Sequence, residues 1–150
     1  QLEQYCSMQV GQMQADLKPT QTLTAELPHL TPMVLADERL LLRVVGNLIG
    51  NAIKYAGEEA NIVVNTYQLT ELADYSVITI EDDGPGIRHD QLERIFDPFT
   101  RLESARDKQS GGYGLGLAIV KEAMLMMNGQ VIAENRQEGG LRVSLLFPIE

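Results

Sequence analysis

The chain has 150 residues, 44% of them hydrophobic and 22% charged, which is enough apolar side chain for one core of ordinary domain size. Twelve basic against 21 acidic residues give a formal net charge of −9, which argues against a protein whose main task is gripping nucleic-acid phosphates. A single cysteine, Cys6, permits neither an internal disulfide nor a paired-cysteine metal site, and no run of residues matches a transmembrane helix or a secretory leader.

Residues 1–17 carry apolar side chains at Leu2, Tyr5, Met8, Met13 and Leu17, a helical spacing that Pro19 ends. This helical opening, without a methionine, leads us to expect a segment of a longer protein. Two short β-like pieces, 22–27 and 33–36, are parted by Pro28 and Pro32 and are read as an edge hairpin or a pair of edge strands. Asp37 is a good N-cap for a helix in which Leu40, Leu41, Val44, Val45, Leu48, Ile49, Ala52 and Ile53 form one apolar stripe, ending near Gly57. Residues 62–69 and 75–81, rich in Val, Ile, Thr and Tyr, predict an antiparallel pair. A short helix over 90–95 follows. Residues 97–114 then lack periodicity, and compact domains seldom carry so long an irregular loop unless it is a functional lid. A helix over 115–128, closed by Gly129, and a final β pair over 130–135 and 141–148 complete the chain. Because strands come in pairs, the order predicts an α/β sandwich: a mixed, mostly antiparallel sheet of about five or six strands with three main helices on one face.

Three clusters stand out chemically. Asn47 and Asn51 are four residues apart, so their amides share a helix face, with Lys54 and Tyr55 one turn on. Two readings account for them: hydrogen bonds to nearby backbone, or neutral oxygen ligands for a hard cation such as Mg²⁺, with Lys54 as a point charge for a phosphate and Tyr55 as an aromatic face for a base. Residues 81–87 (Glu-Asp-Asp-Gly-Pro-Gly-Ile) follow a strand directly. They make a turn by themselves; the sharper alternative aims a strand-end carboxylate at the amine of adenine, with Gly84 and Gly86 taking positive φ and approaching the ligand. Gly111, Gly112, Gly114 and Gly116 run into a helix, exposing backbone N–H groups where its dipole favours anions. The run matches neither the P-loop nor the dinucleotide fingerprint.

Together with residues 95–101 (Ile-Phe-Asp-Pro-Phe-Thr-Arg), these clusters resemble the catalytic ATP-binding domain of bacterial sensor histidine kinases, within the ATPase superfamily shared with Hsp90, MutL and DNA gyrase. Residues 47–55 resemble the N box, 82–86 the first glycine box, 95–101 the F box and 112–117 the second glycine box, in the family's order. The resemblance spans residues 20–148 and implies a Bergerat-type fold with ATP and Mg²⁺ as cofactors. It implies that Asn51, with Asn47, meets Mg²⁺ and the phosphates, that Lys54 contacts a phosphate and that Tyr55 lines the adenine pocket. Asp82 would accept from the adenine amine, Gly84 and Gly86 would give the base room, and Ile87 joins the ATP-binding set. Gly112, Gly114, Leu115, Gly116 and Leu117 would form the phosphate side. Phe96 and Phe99 read as apolar pegs for the lid, Phe99 also counting with the ATP-binding residues, and Arg101 would approach the γ-phosphate. The implied catalytic set is Asn51, Lys54 and Arg101, with Arg106, Lys108 and Gln109 as further lid residues.

Hsp90- and MutL-like relatives carry a glutamate four residues before the metal asparagine to activate water; Asn47 stands there in this chain, so efficient hydrolysis is not expected. The γ-phosphate would instead go to a histidine elsewhere. His29 lies between Pro28 and Pro32 without the family's following glutamate, and His89 reads as a surface or capping residue. The resemblance therefore implies that residues 1–18 join a preceding dimerisation and phosphoacceptor domain to a catalytic domain over 19–150. It also implies a monomeric segment that binds ATP without phosphorylating itself, a response regulator as the indirect partner, and a cytoplasmic place in a membrane-anchored kinase. A nucleotide-gated interaction module with little chemistry is the alternative, and a serine kinase of the anti-sigma type is a third. Cys6 reads as an incidental thiol, Met124, Met126 and Met127 as core, and Ser104 and Ser110 as serines with no histidine to activate them.

Overall fold

The computed structural model describes residues 1–27, 30–70, 74–97 and 113–149. Three helices, α1 (Leu2–Met13), α2 (Glu38–Tyr55) and α3 (Tyr113–Met126), cover one face of a five-stranded sheet made of β1 (Thr22–Glu26), β2 (Asn61–Leu69), β3 (Tyr75–Asp82), β4 (Gln130–Asn135) and β5 (Leu141–Pro148). The strand order is β1-β2-β3-β5-β4. β1 runs parallel to β2, as a crossover through a helix requires, and every other neighbouring pair is antiparallel. The mixed sheet and the three helices are as the sequence predicts, with five strands.

Period-two alternation sends Ile62 and Val64, Ile78 and Ile80, and Val143, Leu145 and Phe147 to the helical side, where they form one core with Leu41, Val44, Val45, Leu48, Ile49, Leu117, Val120 and Met124. On the opposite face Tyr67 and Ile132 are exposed, and Arg142 pairs with Glu81 and Glu134. Among the described residues no helix is long and apolar enough to cross a membrane.

Several expectations need correction. The β-like pieces 22–27 and 33–36 form no hairpin: 22–26 is a single edge strand, and Val34 makes only an isolated bridge to Ile149. The Pro32 carbonyl is taken by the Ser76 hydroxyl, and the proline itself has no N–H to give a ladder. The short helix over 90–95 is a 3₁₀ helix, His89–Arg94, a form suited to short pieces. α3 starts two residues earlier than predicted and ends with Asn128 at φ 60°, while the Gly129 amide reaches back to the Met124 carbonyl. Met124 and Met127 are core residues, whereas Met126 is exposed.

Cys6 is also placed differently. It lies in the core with Leu2 and Val10 on the inner face of α1, and burial, aided by Glu3, pushes its thiol up to about 12. Glu3 itself is buried and accepts from both the amide and the hydroxyl of Thr31, at 3.2 and 2.7 Å, tying the 30–36 segment to α1.

The Asp37 side chain caps α2, accepting from the amides of Arg39 and Leu40 at 2.9 and 3.1 Å. Asp37→Ala is expected to destabilise the chain by about 1 kcal/mol, read as a lowered urea midpoint at unchanged slope. At the other end Gln21, itself buried, donates to the carbonyls of Ile53 and Gly57, fixing the last turn of α2.

Candidate functional site

Side chains from α2, β3, α3 and β5 meet around a cavity of about 10 Å³. Leu48, Asn51 and Ala52 line it from α2, Ile80 and Asp82 from β3, Leu117 from α3, and Leu141 and Val143 from β5. Three sequence clusters that are far apart along the chain thus supply one wall each.

On α2 the Asn51 amide donates to the Asn47 carbonyl oxygen at 3.2 Å, and both side chains are half-buried. Among the described residues nothing bonds the Asn51 Oδ1, and Asn47 Oδ1 keeps a second lone pair, so the face presents neutral oxygen. Lys54 is exposed, with its ammonium 5.3 Å from the centre of the Tyr55 ring, a cation–π contact at the end of the same helix.

The two adjacent aspartates at the end of β3 have different work. Asp83 is spent on structure: its two oxygens accept from the main-chain and side-chain nitrogens of Asn61 at 2.8 and 2.9 Å. Asp82 is only 5% exposed and faces the cavity. Its Oδ1 accepts from the amides of Gly84 and Leu141, at 2.9 and 3.3 Å, and among the described residues nothing bonds its Oδ2. Burial raises its carboxyl above the ordinary range, against the pull of those two amides; Asp83 adds to the rise and Arg136 opposes it. A buried acceptor with a free oxygen suits a neutral donor such as an amine.

The glycines act differently from the expectation that both take positive φ to approach a ligand. Gly86 has φ +74°, but Gly84 does not lie in the left-handed region. Gly84 is required because a Cβ there would stand 2.4 Å from the Ala56 carbonyl oxygen, so it lets the loop pack onto the end of α2. Ile87 is buried in the core, with both main-chain groups taken by Asn135.

Gly114, Leu115 and Gly116 fall in the first turn of α3, and Leu117, on the same helix, is buried against the cavity. Phe96 packs on the core. Phe99, Arg101, Ser104, Arg106, Lys108, Gln109, Ser110, Gly111 and Gly112 lie outside the described residues, as does His29. His89 opens the 3₁₀ helix and is exposed. Sequence reasoning missed Leu141 and Val143 in the cavity wall, Arg136 and Gly140 behind Asp82, and Asn135 against Ile87. Only the paired glycines at 139–140 marked that hairpin, and they signal a turn rather than a site.

Comparison with known proteins gives a consistent picture. The family model for the histidine kinase-, DNA gyrase B-, and HSP90-like ATPase matches residues 36–150. The sensor protein RstB of Escherichia coli (strain K12) is 42% identical over 115 residues, covering 75% of this chain and 25% of RstB. The adaptive-response sensory kinase SasA of Synechocystis is 35% identical over 132 residues, 88% of this chain and 33% of SasA. The chain therefore spans between a quarter and a third of these relatives. Among solved structures, the nucleotide-free catalytic domain of histidine kinase ThkA has a TM-score of 0.81 at 22% identity, covering 98% of this chain and 92% of that one. The mycobacterial sensor histidine kinase MprB has a TM-score of 0.73 at 27% identity, covering 98% and 93%.

Proposed function

Because the chain belongs to the family of histidine kinase-, DNA gyrase B-, and HSP90-like ATPases, we propose that it binds Mg-ATP and donates the γ-phosphate to a histidine on a separate phosphoacceptor domain. The observation that carries this reading is the meeting of Asn51, Asp82 and Leu117 around one cavity, each from a different box of the family. Asp82 accepts the adenine amine on its free oxygen. Asn51, steadied by Asn47, turns a neutral oxygen toward the phosphates, with Lys54 and, by resemblance, Arg101 supplying positive charge.

The donor set fits Mg²⁺. Asn51, with Asn47, would offer amide oxygen to the ion, and phosphate oxygens and water would have to supply its remaining ligands; among the described residues no cluster of three acidic, histidine or cysteine side chains suits a self-sufficient metal site. When bound, the ion neutralises charge on the transferring phosphoryl group. The protein's own contribution is positioning. Asn47 is an amide committed to Asn51, not a carboxylate that could take a proton from water, so the geometry favours transfer to an outside nucleophile over hydrolysis.

On this reading residues 1–18 lead from a phosphoacceptor and dimerisation domain, and a response regulator receives the phosphate next, on the cytoplasmic side of a membrane-anchored kinase. Mixing the chain with ATP, Mg²⁺ and a phosphoacceptor domain should yield acid-labile, alkali-stable phosphate on the acceptor. Nucleotide-dependent association without transfer would favour a switch that gates docking.

The raised Asp82 carboxyl adds a pH signature. Protonation removes the acceptor, so ATP affinity is expected to fall as pH is lowered, and to begin falling above the range of an ordinary carboxylate. Calorimetric Kd values across a pH series check this, with Asp82→Asn losing that part of the profile.

A further inference from the structure

The hairpin joining β4 to β5 lies behind the 82–87 loop and grips it at both ends. At the near end β3 keeps β2 on one side, Asp82 opposite Ile62, but on the other side the pairing with β5 stops at Glu81 opposite Arg142, one residue short of Asp82. The Asp82 carbonyl is taken instead by the Arg136 guanidinium, Nη1 to O at 2.9 Å. Arg136 is mostly buried, and its Nη2 also meets Glu138 at 3.0 Å. Its main chain is pinned in turn, its amide donating to the Gly140 carbonyl and its carbonyl accepting from Gly139. Gly140, at φ +95°, lets the hairpin press so close that a Cβ there would stand 1.9 Å from the Asp82 carbonyl oxygen.

At the far end Asn135 imitates a strand. Its Oδ1 accepts from the Ile87 amide at 2.9 Å and its Nδ2 donates to the Ile87 carbonyl at 2.6 Å. Gly86 makes the contact possible, since a Cβ there would stand 2.6 Å from Asn135 Oδ1. Two adjacent side chains on one hairpin thus fix both ends of a loop whose first residue is the cavity carboxylate. A recognition group works only when its own root is held to a fraction of an ångström.

We propose that Asn135 and Arg136 are positioning residues for base recognition, holding the 82–87 loop so that the Asp82 carboxylate selects a nucleotide whose base carries an exocyclic amine. The proposal rests on the reading of Asp82 as the adenine acceptor. Neither residue touches the nucleotide; each acts through the backbone that carries Asp82. A group that only held the fold together would weaken all nucleotides alike, whereas one that aims Asp82 changes the preference among bases.

The test is calorimetric titration of the 150-residue chain with Mg-ATP and with the Mg complex of purine riboside triphosphate, which carries hydrogen in place of the amine. The unmodified chain is expected to prefer ATP by about thirtyfold or more, as sites built around a substrate N–H do. Arg136→Ala and Asn135→Ala should each shrink that preference by about tenfold, with affinity for the amine-free nucleotide nearly unchanged. Arg136→Lys, which keeps a donor within reach of the Asp82 carbonyl, should recover part of it; it also carries the test if Arg136→Ala melts too early to titrate. An undiminished preference in folded variants, or an equal loss for both nucleotides, overturns the proposal. An unmodified chain that binds both nucleotides equally overturns the Asp82 reading and this proposal with it, and is distinguishable because the failure is present before any substitution.

Discussion

Asp82→Asn is expected to weaken ATP binding on the order of a hundredfold while leaving the chain folded. The substitution keeps an oxygen where Oδ1 accepts from Gly84 and Leu141, so the loop has no reason to move. It replaces the free carboxylate oxygen with an amide nitrogen, and on the proposed reading a donor would then face the donor amine of adenine. Losing a charge-assisted hydrogen bond in a buried site costs about 2–3 kcal/mol, which is one to two orders of magnitude in Kd. Stability should move the other way. Burial raises the carboxyl above its unfolded value, so above that raised value the native state bears the cost of a buried charge, and the neutral amide removes it. Without nucleotide, the variant's melting temperature at neutral pH should be no lower than that of the unmodified chain. Asp83→Asn should do neither, since its carboxylate is occupied by Asn61 outside the cavity.

Asn51→Ala is expected to abolish the Mg²⁺ dependence of ATP binding and to lower phosphotransfer on the order of a hundredfold or more. The alanine removes the oxygen proposed for the metal and leaves Asn47 without the amide it accepts from. Affinity measured in Mg²⁺ should then fall to the value measured in a chelator. Asn51→Asp discriminates further: a carboxylate still ligates the metal, so Mg²⁺ dependence should persist. Helix α2 is expected to stay folded with either change, because its buried stripe lies on Leu41, Val44, Val45, Leu48, Ile49, Ala52 and Ile53.

The strong elements of the fold could be read from the sequence because each is written locally. The apolar stripe and Asp37 cap of α2, and the β-branched runs of β2, β3 and β5, specify their own conformation and inward face. What could not be read depends on partners distant in sequence. That 22–26 pairs in parallel with β2, rather than turning back on 33–36, is decided by the crossover through α2. Cys6 becomes a core residue because α1 packs on α2 and on the edge of the sheet.

The site divides in the same way. The boxes carrying Asn51, Asp82 and Leu117 are visible as residue patterns, but nothing local separates Asp82 from Asp83; that distinction is made by Asn61, 22 residues away. Gly84 has the look of a conformational glycine, yet it is there because the loop lies against Ala56. Asn135 and Arg136 sit in an ordinary hairpin and acquire meaning only from the loop they hold.

The measurement that bears most directly on the central claim is titration of the unmodified chain with ATP in Mg²⁺ and in chelator, followed by calorimetry. Saturable binding of one nucleotide per chain, tighter with Mg²⁺ and weakened on the order of a hundredfold in Asp82→Asn, is the result that this account predicts. A folded chain that takes up no nucleotide, or one that binds equally well in Asp82→Asn, would contradict it.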